Sequence, residues 1–275
     1  MALIELKDAG KSYGARRVLH GVNLNVEEGE FVSIVGTSAS GKTTLIKLAA
    51  GLVNADKGTI FVDGQAVLGF PHAAAIVFQN YSLLPWLSAL ENVRLAVESA
   101  FHGWPGSKHK DQAVRYLELV GLGAALMKRP SQLSGGMRQR VAIARAFAVE
   151  PRILFLDEPF GALDALTRAT LQQELAKLCE AQSPRATALM ITNSVDEAIL
   201  LSDRILALGR GPGASLSAAV PVTLPRPRGA GLMIHNDDAV RVRARVTEFL
   251  TANSRPSAGS KAAREALATA VPVEA

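Results

Sequence analysis

Gly36-Thr37-Ser38-Ala39-Ser40-Gly41-Lys42-Thr43 matches the phosphate-cradling pattern G-x-x-x-x-G-K-[ST] at every fixed position. The residue types state the chemistry. Glycines let the backbone turn tightly enough to aim successive N–H groups at phosphate oxygens. A helix beginning at Lys42 adds partial positive charge at its N-terminus. Lys42 supplies a full charge for β- and γ-phosphates. The Thr43 hydroxyl can ligate Mg²⁺, and Thr44 follows it in the same turn.

A second group narrows the reaction. Ile153-Leu154-Phe155-Leu156 reads as an apolar strand that delivers Asp157 and Glu158 at its C-terminal end. Ligands of open α/β sheets bind at that end of the strands. Asp157 is placed to hold Mg²⁺, and Glu158 to polarise an attacking water.

Leu133-Ser134-Gly135-Gly136-Met137-Arg138-Gln139-Arg140 precedes that strand, and helical spacing follows over Val141 to Phe147. A hydroxyl and glycine-exposed N–H groups at a helix start make a second anion site. In order and spacing with the other two motifs, this stretch resembles the signature of ATP-binding-cassette ATPases. The resemblance covers residues 1 to about 225. It implies ATP and Mg²⁺ as ligands, with Thr43, Gln79 and Asp157 near the metal. It also implies two cassettes, identical or paired, packed head to tail. Ser134, Gly135 and Gly136 of each would cover the γ-phosphate held by the other. By position, Tyr13 would stack on adenine, Gln79 would sense Mg²⁺ and water, and Asp164 would cross the dimer interface.

The same family places a histidine against the γ-phosphate where this chain has Asn193. An amide donates a hydrogen bond but carries no charge. Transition-state stabilisation there is expected to weaken by about 1–3 kcal/mol. Two readings follow: a hydrolysing cassette whose other groups carry the load, or a slow or regulatory ATP-binding subunit. The intact Glu158 favours the first.

Within the family, Val77 to Leu87, with Leu83-Leu84-Pro85-Trp86 after the glutamine, resembles importers of nitrate, taurine and alkanesulfonates. Val195 to Arg204 and Leu224-Pro225-Arg226-Pro227-Arg228 do so too. Arg210-Gly211-Pro212-Gly213-Ala214 leans toward the nitrate, nitrite or cyanate branch. The resemblance therefore implies membrane-embedded permease subunits as partners, an extracytoplasmic solute-binding protein as an indirect one, and a peripheral place on the cytoplasmic face of the inner membrane. Cassette proteins of DNA repair or translation usually carry two cassettes or a long coiled-coil insertion, and neither is present.

The elements that must position these residues alternate between strand and helix, which predicts an α/β fold. The expected core is a phosphate-loop ATPase with a mixed, mostly parallel sheet, an N-terminal antiparallel β subdomain and a helical subdomain over about 82–145. Strands are predicted at Leu3 to Leu6, Val22 to Val26, Phe31 to Val35 and Thr59 to Val62, with a hairpin turn at Asp63-Gly64. Later buried strands are Ile76 to Phe78, Ile153 to Leu156, Ala188 to Ile191 and Ile205 to Leu208. The helix after the phosphate loop is predicted to run from Lys42 to Leu52, burying Leu45, Leu48, Ala49 and Leu52. An extension over 226–252 should hold a short helix from Asp237 to Thr251, after one more strand over Val220 to Leu224. Residues 253–275 have the composition of a disordered tail.

Bulk properties agree. The 275 residues are 48% hydrophobic and carry a formal charge of +5, much of the excess late in the chain. No apolar run approaches the roughly 18–20 residues that span a bilayer. Cys179 is the only cysteine, so no internal disulfide is possible. Few aromatics and no base-stacking pattern argue against nucleic acid as a partner.

Overall fold

The computed structural model describes residues 2–181, 185–229, 231 and 236–252; the predicted tail at 253–275 lies outside them. Two sheets form. The first is antiparallel, in the order β2-β1-β4-β5, from β1 (Ala2–Tyr13), β2 (Arg16–Glu27), β4 (Lys57–Val62) and β5 (Gln65–Ala66). The second has the order β10-β9-β3-β8-β7-β6, from β3 (Phe31–Val35), β6 (Ala74–Val77), β7 (Ile153–Asp157), β8 (Thr187–Thr192), β9 (Arg204–Ala207) and β10 (Val220–Pro221). Five of its strands are parallel, and β10 alone runs antiparallel to its neighbour. The expected α/β architecture is present.

β3, β7 and β8 are buried along their whole length, as strands covered on both faces must be. One cover is α1 (Lys42–Ala49), whose Leu45, Ile46 and Leu48 share a core with Leu3, Ile4 and Val26 of the antiparallel sheet and Ile34 and Ile191 of the parallel one. The opposite core joins α2 (Ala89–Ala100), α3 (Gly106–Leu119), α4 (Gly135–Phe147) and α5 (Ala165–Ala181) through Val93, Leu117, Ile143 and Leu171. Two further helices, α6 (Val195–Leu201) and α7 (Asp237–Ala252), share a smaller core with β10 through Ile199, Val246 and Val220.

Local chemistry explains most boundaries. Asp63 and Gly64 both take positive φ, 53° and 73°, and pair Val62 with Gln65 across the turn, as a two-residue hairpin requires. Ser88 and Glu91 form a reciprocal cap on α2. β1 and β2 are far longer than their apolar cores predicted, because the alternation continues through register shifts.

Three expectations are corrected. α1 stops at Ala49, and Leu52 is 41% exposed instead of buried. Gly51 takes φ 67°, and the Leu52 and Gly51 N–H groups donate to Lys47 and Leu48 carbonyls, a left-handed glycine stop. α4 begins at Gly135, six residues before the predicted start, because Ser134 caps it. β10 spans only Val220–Pro221 instead of reaching Leu224, although the Val222 N–H still donates to the Asp203 carbonyl at 2.8 Å.

Candidate active site

The phosphate loop joins the end of β3 to α1, and its glycines sit where side chains would collide. A Cβ on Gly36 would lie 2.7 Å from Ser40 Oγ, and one on Gly41, at φ 104°, 2.9 Å from Val18 Cγ1. Gly41 is the N-cap of α1 and brings no side-chain acceptor to the first-turn amides. Thr37 Oγ1 and Ser40 Oγ are buried with no hydrogen-bond partner among the described residues. Orphaned buried polar atoms are rare, and here two belong to one loop. The cradle fits a phosphate chain.

Strand order brings the rest together. β8 and β7 follow β3 in the sheet, so their C-terminal ends open beside Lys42. Lys42 is 4% exposed; its Nζ donates to Asn193 Oδ1 at 2.8 Å and to the Thr37 carbonyl at 3.0 Å, and pairs with Glu158 Oε1 at 3.2 Å. Glu158 Oε2 accepts from Asn193 Nδ2 at 2.8 Å and from Gln79 Nε2 at 3.4 Å. Glu158 holds φ 45°, a strained value for a non-glycine residue and one that recurs at functional sites. Asp157 is 5% exposed and accepts from the Thr43 hydroxyl at 3.4 Å. Burial, with the Glu158 charge beside it, holds its carboxyl above the usual aspartate range. Two hard oxygens at the loop mouth suit Mg²⁺, which takes few protein ligands and leaves its other positions to phosphate and water.

Lys42, Thr43, Gln79, Asp157, Glu158 and Asn193 thus form one cluster. The other sequence candidates stand apart from it. Ser134 is exposed and its Oγ accepts from the Met137 N–H at 3.2 Å. A Cβ on Gly136 would meet Thr167 Cγ2 at 2.5 Å, so glycine there lets α4 lie close on the first turn of α5. Asp164 caps that same turn by accepting from the Thr167 N–H at 3.0 Å, a bond that lowers its carboxyl below the usual range. Tyr13 is 50% exposed at the tip of β1, paired across the hairpin with Arg16.

Two features escaped the sequence reading. Glu197 is buried at 5% exposure and accepts from the Thr192 hydroxyl at 2.6 Å, and that oxygen in turn accepts from the Ser194 N–H at 3.0 Å. This network fixes the loop carrying Asn193. Its only sequence signal is the cap spacing from Ser194 to Glu197. Arg16, Arg17 and Arg210 line a cleft of about 350 Å³ with Ser38 and Ser40. Arg210 lies far in sequence from the adjacent Arg16 and Arg17, so the cleft leaves no local pattern.

The family described as "ABC transporter" matches residues 19–161. The nitrate import ATP-binding protein NrtD of Synechococcus elongatus is 42% identical over 88% of this chain and 89% of its own length. The nitrate transport protein NasD of Klebsiella oxytoca is 44% identical over 84% of this chain and 88% of its own. The bicarbonate transport ATP-binding protein CmpC of Synechocystis sp. is 45% identical over 86% of this chain, which spans 35% of CmpC. Among solved structures, the dimeric post-hydrolysis state of the ATP-binding cassette MJ0796 bound to ADP and Pi superposes with a TM-score of 0.72, at 32% identity over 81% of this chain and all of that one. Matched in this way along most of NrtD and NasD, the chain belongs to the ABC transporter family.

Proposed function

We propose that this chain is the ATP-hydrolysing subunit of an importer for a small oxyanion, with nitrate and its near relatives ahead of sulfonates. The supporting observation is the convergence of Lys42, Thr43, Asp157 and Glu158 beside a loop with orphaned donors. The names of the relatives support the anion class. A regulatory subunit that does not hydrolyse is not favoured, because the base Glu158 and the cation Lys42 are both in place.

In this reading the loop amides, Thr37 and Ser40 hold the β-phosphate, and Lys42 binds between the β- and γ-phosphates. Thr43 and Asp157 would hold Mg²⁺, which would supply charge neutralisation. Glu158 orients the attacking water and accepts its proton, with Gln79 beside the carboxylate and Asn193 donating to the γ-phosphate. Ser134, Gly135 and Gly136 of a second cassette cap the γ-phosphate, and Asp164 lies at the seam. Tyr13 stacks on adenine. Trp86, 64% exposed beside a partly buried Leu83, gives a permease helix an apolar surface on the cytoplasmic face of the membrane. No helix among the described residues is long and apolar enough to cross a membrane.

The test is anion uptake in cells lacking this chain, complemented by wild type or Glu158→Gln. Nitrate uptake restored by wild type alone is the expected result. Restoration by the Glu158→Gln form would refute ATP hydrolysis as the driving step, and restored uptake of bicarbonate but not nitrate would reassign the solute.

A further inference from the structure

The Lys42 ammonium has three N–H donors, and three acceptors occupy them: Thr37 O, Asn193 Oδ1 and Glu158 Oε1. The neutral phosphate ligands of the same loop, Thr37 Oγ1 and Ser40 Oγ, have no partner among the described residues. The loop's neutral donors are therefore free while its one cation is engaged. One of the groups engaging it is a carboxylate, an anion standing where a phosphate oxygen would bind.

Asn193 touches both members of that pair. Its amide accepts from Lys42 on one side and donates to Glu158 on the other, both at 2.8 Å. A side chain that carries both a donor and an acceptor can bridge an ammonium and a carboxylate in this way. Lysine has no acceptor, and an ionised aspartate no donor. The loop bearing Asn193 is itself anchored by the Thr192–Glu197 bond.

We propose that Glu158 is an internal competitor for nucleotide phosphate, clipped onto Lys42 by Asn193. Nucleotide entry exchanges the Lys42–carboxylate pair for a Lys42–phosphate pair. The exchange frees Glu158 to turn toward water, so the base becomes available only after phosphate has arrived. Asn193 is then a positioning residue of the empty site, distinct from its contact with the γ-phosphate. The inference rests on the nucleotide reading above.

ADP separates the two roles, because it lacks the γ-phosphate. Its affinity is measured by calorimetry in EDTA for wild type, Asn193→Ala, Glu158→Gln and the double variant, with circular dichroism to confirm folding. Removing the competitor should tighten ADP binding by about tenfold in Glu158→Gln and about threefold in Asn193→Ala. The double variant should gain no more than Glu158→Gln alone, since both changes open one clip. A folded Asn193→Ala that binds ADP no tighter than wild type overturns the proposal, as does full additivity. Failure of every form to bind ADP would instead bring down the nucleotide reading, and the clip with it.

Discussion

Two aspartates at opposite ends of the parallel sheet have shifted in opposite directions. Asp157, at the C-terminal end of β7, is held above its ordinary range by burial and by Glu158; its one hydrogen bond is to Thr43 at 3.4 Å. Asp203 precedes β9 and is also penalised by burial. The Phe31 N–H and the Arg226 and Arg185 guanidiniums outweigh that penalty and hold it below its ordinary range. The pull of Lys47 and Lys42 does not offset burial at Asp157, whereas hydrogen-bonded donors do offset it at Asp203.

The lesson extends to the cations nearby. Arg228 donates to the carbonyls of Ile199, Ser202, Val222 and Leu224, tying the extension to α6. Burial pulls its guanidinium down to about 10. Its partners are backbone, which cannot leave without unfolding. Lys42 is held chiefly by side chains, which can. Under-satisfied or exchangeable charge marks a working site, and charge locked to backbone marks scaffold.

The largest expected effect separates the two ends. Lys42→Ala should lower ATP turnover about 10²–10³-fold in a chain that still folds, read by phosphate release and calorimetry. Turnover within about tenfold of wild type would remove Lys42 from the chemistry. Asp203→Ala should do the opposite. It leaves Arg226, Arg185 and the Phe31 N–H short of an acceptor. The expected cost is about 2 kcal/mol, discounted for partial exposure, or roughly 4–8 °C in melting temperature.

Asp157→Asn sharpens the contrast with a gain. Replacing an under-satisfied buried carboxylate by an amide should stabilise the nucleotide-free chain at neutral pH by about 1 kcal/mol while abolishing Mg²⁺-dependent turnover. A loss of stability at neutral pH would show that Asp157 has a structural partner.

The smallest effect is its pH dependence. Asp157 has a raised folded pKa, so its penalty is complete at neutral pH and is relieved as acid protonates it in the fold. The Asp157→Asn advantage should shrink as pH falls and vanish below about pH 4, where the unfolded carboxyl is protonated too. Asp203 has a depressed folded pKa. Its stabilisation is whole above the ordinary aspartate range and is lost as pH falls through the depressed value. The Asp203→Ala deficit should therefore persist at pH 5 and close only below about pH 4. Melting curves for both variants between pH 3 and 7 check the two signs together.

Consecutive residues alone determined the phosphate loop, the carboxylates ending β7, the capped glycines of the signature and the Asp63-Gly64 turn. Each depends on the backbone geometry and chemistry of a few neighbours, which local residue types dictate. Only the tertiary structure decided what those groups touch. Lys42 meets Asn193 across 151 residues and Phe31 meets Asp203 across 172, because the order β9-β3-β8-β7 places distant strand ends side by side. The early stop of α1 has the same origin: Gly51 acts through hydrogen bonds made in the folded chain. A sequence fixes which charges exist; strand order fixes which are satisfied, and that difference separates the site from its scaffold.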